Sequence, residues 1–231
     1  MSASDGQQPL PDSGDIDVAS IRLLELRHRI KNLLGIVQAV ANQTLRTGRS
    51  IEEARLALDS RLAAMGQAVD MLLQSGWTEA GLGELIGRAL TGPDERVVLT
   101  GPELTLGADA VMALSLVFHE LESNSIKYGA LSAPTGTVEI GWSVEREGEL
   151  DCLRLRWTEA GGPECAPPSR RGFGSQMVAK LVGGRLRGRV EADYPSDGLR
   201  WRLTAPLAAL APQDSDRLSA APIPLSIKPA S

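Results

Sequence analysis

Apolar residues recur at Leu23, Leu26, Ile30, Leu33, Val37 and Val40. A three-and-four spacing sustained over that length describes an amphipathic helix with a narrow seam and little else. The rhythm predicts a helix from Val18 to Arg46. A short break at Thr47, Gly48 and Arg49 follows, and a second helix then carries Ile51, Leu58, Leu62, Met65, Val69 and Leu72. Two long helices joined by a tight turn make a hairpin, which cannot cover both of its seams alone. Pairing with a second copy in a four-helix bundle is the economical solution. The alternative is that the seam packs against the rest of its own chain.

Beyond Gly76 the texture becomes mixed. A short helix (82–90) leads to a strand at 96–100 and an apolar-periodic helix at 108–128. Strands are predicted at 137–144, 151–157, 185–193 and 199–204, bounded by Gly, Asp and Pro turns and interrupted by one helix at 174–182. Helices segregated against a mixed sheet imply a two-layer α/β sandwich. The fold class is therefore α+β: a disordered N-terminus (1–17), a helical dimerisation hairpin (18–75), a sandwich domain (77–210) and a disordered, Pro/Ser/Ala-rich tail (211–231).

Composition narrows the function. In 231 residues the formal net charge is −5, which argues against the broad cationic surface that nucleic acid requires. Two cysteines, Cys152 and Cys165, make neither a disulfide framework nor a CxxC metal motif. No run approaches the roughly 20 apolar residues of a membrane span, and the polar start has no signal-peptide character. A cytoplasmic protein is expected. Only about 20 residues precede the first helix, so the signal is expected to arrive through a partner or a separate sensor protein.

The two histidines sit in different settings. With Leu23 and Ile30 at a and Leu26 and Leu33 at d, His28 falls at the outward f position, among Arg22, Arg27, Arg29 and Lys31. That cationic patch on an acidic protein suits nucleotide phosphates or an acidic docking surface. The surrounding string, Glu25-Leu26-Arg27-His28-Arg29-Ile30-Lys31-Asn32-Leu33-Leu34, resembles the phosphoacceptor segment of the HWE family of histidine kinases, and the likeness continues through Gln38, Ala39, Gln43 and Thr44.

His119 opens a second cluster, His119-Glu120-Leu121-Glu122-Ser123-Asn124-Ser125-Ile126-Lys127-Tyr128-Gly129. At about 100° per residue, Glu120, Asn124 and Lys127 fall within roughly a 60° arc. One helix face thus offers a carboxylate, an amide oxygen and an ammonium, the groups that a magnesium nucleotide needs. The segment resembles the N box of the GHKL ATPases in its HWE variant. Next, the apolar strand ending in Trp157 runs into Glu159, Gly161 and Gly162, where a carboxylate is followed by a turn that permits close backbone approach. This is similar to the first glycine box of the family, with Glu159 as acceptor for the adenine amino group. Finally, Gly172, Gly174 and Ser175 open a helix whose free N–H groups can face phosphate, and they resemble the second glycine box. Arg170 and Arg171, in the short lid between the boxes, are candidate phosphate contacts.

The resemblance implies a dimeric autokinase in which His28 takes the γ-phosphoryl group of ATP and passes it to an aspartate of a response-regulator receiver domain. It implies ATP and Mg2+ as cofactors, with Asn124 at the metal and His119, Lys127, Tyr128 and Trp157 lining the nucleotide site. The residue after the phosphoacceptor is Arg29, where other histidine kinases carry an acid, so Glu120 becomes the candidate base. Asn32, one turn from His28, suits a reverse phosphatase reaction. Two other readings share the fold: a phosphotransfer or phosphatase protein without kinase activity, and a GHKL-type serine kinase.

Overall fold

The computed structural model describes residues 13–45, 50–90, 95–167 and 173–212. Helix α1 (Ser13–Leu45) and helix α2 (Ile51–Gln74) form the hairpin. The expected break at Thr47, Gly48 and Arg49 lies outside the described residues. Helix α1 begins five residues before the expected Val18, so residues 13–17 belong to a helix and not to a disordered N-terminus.

Ser50 starts α2 with a reciprocal capping box: its hydroxyl accepts from the Glu53 N–H at 3.2 Å, and the Glu53 carboxylate accepts from the Ser50 N–H at 3.0 Å. The helix stops where Gly76 and Trp77 adopt φ of 67° and 68° and the Trp77 N–H turns back to the Leu72 carbonyl at 2.6 Å. Glycine is at ease there; a bulky tryptophan is not, so this junction is held against a backbone preference.

Two short pieces follow, strand β1 (Glu79–Gly81) and helix α3 (Leu82–Ala89), then strands β2 (Val97–Thr100) and β3 (Thr105–Gly107). β1 and β3 pair with each other, and neither was expected. At three residues each they carry too little period to be legible. Helix α4 (Ala108–Tyr128) ends at Gly129 and runs into a single 3₁₀ turn, Ala130–Ser132. Strands β4 (Thr137–Glu147) and β5 (Leu150–Ala160), helix α5 (Phe173–Arg185), strands β6 (Arg189–Asp193) and β7 (Arg200–Pro206) and helix α6 (Leu207–Leu210) complete the described elements.

The main sheet has the order β2-β4-β5-β7-β6, with β2 parallel to β4 and every other pair antiparallel. Alternation sorts its faces. Ile140, Trp157 and Trp201 stand opposite one another across three strands and are buried, while their neighbours Arg156 and Arg202 point outward. Against the inner face lie α3, α4 and α5, with Val111, Leu114, Val117 and Phe118 of α4 fully buried. This is the mixed helix-and-sheet, two-layer arrangement that the sequence predicts.

The hairpin is not separate from that core. Ile36 and Val40 of α1 and Met65, Ala68, Met71 and Leu72 of α2 are buried in one cluster with the residues of α4 and α5. The predicted seam is therefore split: Leu33, Val37 and Val40 turn inward, whereas Ile30 is 50% exposed and Ile51 89% exposed. Ile36, Val40 and Thr44 form the deeper row, because an i, i+4 ridge of α1 faces its neighbours.

Candidate functional site

Helix α4 is the spine of the site. Its first half is apolar on the sheet side, and its last two turns carry the polar cluster. Glu120 is buried, while Asn124, Lys127 and Tyr128 are exposed, Tyr128 to 76%. Asn124 and Lys127 share a face with Glu120, but Glu120 is covered by α2 and α5, whereas the other three lie one to two turns further on and reach solvent at the helix end.

The strand-end carboxylate is brought to that same end. Glu159 of β5 is buried, its Oε1 accepting from the Trp157 indole Nε1–H at 3.0 Å and its Oε2 from the Ala130 N–H at 2.7 Å. Trp157 presents no surface at all. It holds the Glu159 carboxylate in place from within the core. The adjoining turn packs equally tightly: Gly161 has φ of 71°, and a Cβ on Gly162 would run into the backbone of Ala130. These glycines are needed for backbone-on-backbone contact. A Cβ on Gly129 would likewise collide with the Glu159 carboxylate.

The start of α5 closes the corner. Gly174 lies so near Glu120 that any side chain there would strike the carboxylate, and Ser175 is exposed in the same first turn. Gly172, Arg170 and Arg171 lie outside the described residues. The end of α4, the glycine turn after β5 and the N-terminus of α5 are thereby gathered from stretches up to about 50 positions apart into one corner.

A second set of contacts ties this corner to the hairpin. Ser60 Oγ and His119 Nε2 are 2.6 Å apart. Arg61 Nε donates to Glu120 Oε1 at 2.7 Å, and its Nη1 donates to Thr44 Oγ1 at 3.0 Å. Burial holds His119 below the usual imidazole value; the Glu120 and Glu122 carboxylates oppose that shift, and Arg61 and Lys127 reinforce it. The neutral ring therefore prevails at neutral pH. Arg61 was not among the residues singled out by sequence. The signal was present, however: it is the one charge in the small-residue stripe Ala54, Ala64, Ala68 that faces inward.

His28 belongs to α1, but its side chain lies outside what the structure describes. The next residue, Arg29, donates to the Trp77 carbonyl at 2.8 Å, so this part of α1 lies beside the junction after α2. Thr44, which meets Arg61, is sixteen residues further along α1 (44 − 28), or about 24 Å at 1.5 Å per residue. The structure thus brings the nucleotide-type residues together and leaves His28 apart from them.

Residues 25–103 match the family model described as HWE histidine kinase. The chain is 39% identical over 190 residues to a blue-light-activated histidine kinase of Brucella anthropi, covering 80% of this chain and 38% of that protein. It is 35% identical over 187 residues to a protein of the same description from Brucella ovis, covering 79% and 38%. It therefore spans less than two fifths of the length of these curated relatives. Among solved structures, the histidine kinase domain of a blue-light-activated histidine kinase from Erythrobacter litoralis superposes with a TM-score of 0.56 at 17% identity, covering 90% of this chain and 99% of that one, a likeness of fold. Taken with the clustered boxes of α4, β5 and α5, these matches establish that the chain belongs to the HWE histidine kinases, a family of transferases.

Proposed function

We propose that the chain is the catalytic portion of an ATP-dependent autokinase that phosphorylates His28 and passes the phosphoryl group to an aspartate of a receiver domain. The observation that supports this most is the single corner formed by Asn124 and Lys127, the Glu159–Gly162 turn and the first turn of α5. Adenine is anchored at Glu159, with Trp157 and the Ala130 N–H fixing the carboxylate. Lys127 and the α5 N–H groups, with Ser175, face the phosphates, and Tyr128 flanks them. Among the described residues no group of three His, Cys, Asp or Glu side chains could hold a metal alone. The exposed Asn124 amide suits Mg2+ carried in by the phosphates, which would neutralise their charge.

In the reaction, a ring nitrogen of neutral His28 attacks the γ-phosphorus. The bond to the β–γ bridging oxygen breaks, ADP leaves with that electron pair, and the displaced imidazole proton passes to Glu120. The resulting phosphoramidate is the donor for the receiver aspartate. In this reading the chain works as a homodimer in the cytoplasm. No helix among the described residues is long and apolar enough to cross a membrane. Incubation with γ-labelled ATP and Mg2+ tests the assignment. Acid-labile, alkali-stable label that disappears in His28→Ala is expected; label that persists in that variant refutes it.

A further inference from the structure

Within the hairpin's contact with α4, one layer stands out because it is charged and buried. The Arg61 and Glu120 side chains are only 4% and 8% exposed, and their contact is 2.7 Å. Thr44 braces the guanidinium from α1, and the Ser60–His119 contact flanks it. The second oxygen of Glu120 abuts Gly174 in the first turn of α5. One oxygen of this carboxylate is thus bound by the hairpin, and the other lies against the sandwich domain.

The direction of the helices adds a second constraint. Ser60 and Arg61 lie beside residues 119 and 120, while Ala64, Ala68 and Met71 of α2 line one small cavity with Ser115 of α4. The two helices therefore run antiparallel, and Asn124 and Lys127, further along α4, lie toward the turn end of the hairpin. His28 lies at the opposite end, about 24 Å from Thr44 along α1. A carboxylate held at one end cannot take a proton from an imidazole at the other.

We propose that Arg61 is a control residue for phosphoryl transfer: its buried ion pair with Glu120 stows the nucleotide corner at the turn end of the hairpin, and the pair must break before Glu120 can serve His28. This rests on the reading of Glu120 as the base. An ion pair suits the task better than an apolar contact of equal area. Its two charges are costly to bury and recover full hydration when parted, so the contact is specific without being permanent. In this role Arg61 acts by where it holds Glu120 and not on the reacting atoms.

The test uses the whole chain, with Arg61→Ala and Arg61→Lys compared for labelling at varied Mg-ATP and for amide hydrogen exchange. Removing the guanidinium should raise the labelling rate at saturating ATP by about fivefold or more, the lower end of ordinary coupling between sites, and leave KM unchanged. Exchange should quicken in α2 and α4 around residues 60 and 120 while β4 and β5 stay protected. Arg61→Lys, which keeps a charge on Glu120, should return the rate toward that of the parent. A lower or equal rate in Arg61→Ala with β4 and β5 protected, or unchanged exchange in α2 and α4, overturns the proposal. If β4 and β5 lose protection, Thr44→Val is read instead, since it loosens Arg61 without stranding a charge; a faster rate supports the control role, and an unchanged one overturns it. Absence of His28-dependent label from the parent and every variant overturns the kinase reading and the control role together, whereas label in the parent without gain in the variants overturns only the control role.

Discussion

The indole of Trp157 donates to Glu159 two residues along the same strand, at 3.0 Å, with the ring wholly inside the core. Residues i and i+2 share a face of a strand, so both side chains point inward, and the tryptophan supplies one of the two hydrogen bonds that let a carboxylate remain there. Replacing it with Phe keeps most of the volume but removes the donor. Trp157→Phe should lower stability by about 1–3 kcal/mol, the cost of an unsatisfied buried acceptor, and weaken ATP binding by freeing Glu159 to turn. Thermal melts and a nucleotide titration check both, and unchanged affinity would separate Glu159 from the ligand.

Because His28 stands apart from the proposed nucleotide corner, losses at the two places should be separable. His28→Ala should abolish labelling and leave ATP affinity within experimental error. Asn124→Ala, at an exposed helix position, should leave folding intact while Mg-ATP affinity falls by about tenfold or more, roughly the worth of a hydrogen bond to a charged group. Equal affinities in parent and Asn124→Ala would remove Asn124 from the metal site.

The His119 imidazole makes the contact between hairpin and sandwich domain sensitive to acid. Its folded value is depressed, first by burial, with Glu120 and Glu122 opposing and Arg61 and Lys127 reinforcing. Between that depressed value and the ordinary 6.5, the unfolded chain binds more protons than the folded one, so stability rises with pH through this window. The contribution is fully present above about pH 6.5 and is lost as the pH falls through the folded value. The chain has two histidines in all, which keeps the comparison simple: His119→Gln should show a smaller drop in melting temperature between pH 7.5 and 5.5 than the parent. Equal slopes would refute the assignment.

Packing on its own chain does not exhaust the apolar surface of the hairpin. Leu24, Ile30 and Leu34 of α1 are each half exposed or more, and surface of this kind suits a second copy. Sedimentation of the whole chain should show a dimer. Ile30→Lys with Leu34→Lys should shift it to a folded monomer, since neither side chain is buried in a single chain. A monomeric parent would sink the bundle arrangement. Residues 18–75 alone should also dimerise, the more readily because removing α4 bares Met65, Ala68 and Met71.

The sequence by itself determined the long elements. The 108–128 helix, the long strands of the sheet and the two hairpin helices follow from periods of 3.6 and 2 that are written within a single stretch of chain. The motifs at Asn124, Glu159 and Gly174 stand out in the sequence because each depends on a few neighbouring residues. What only the tertiary structure decided are relations between distant ones. Arg61 and Glu120 lie 59 positions apart, and a charge on an otherwise apolar helix face does not say which element will neutralise it. The same holds for Trp157, whose burial depends on strands β4 and β7 on either side of it, and for Ile30, left half exposed because α1 turned its Ile36–Val40–Thr44 row to the core instead. Helical and strand periods specify which face is buried but not what covers it. That choice is set by how the long seams and the sheet share a limited apolar surface, and it leaves His28 about 24 Å along α1 from the layer that holds Glu120.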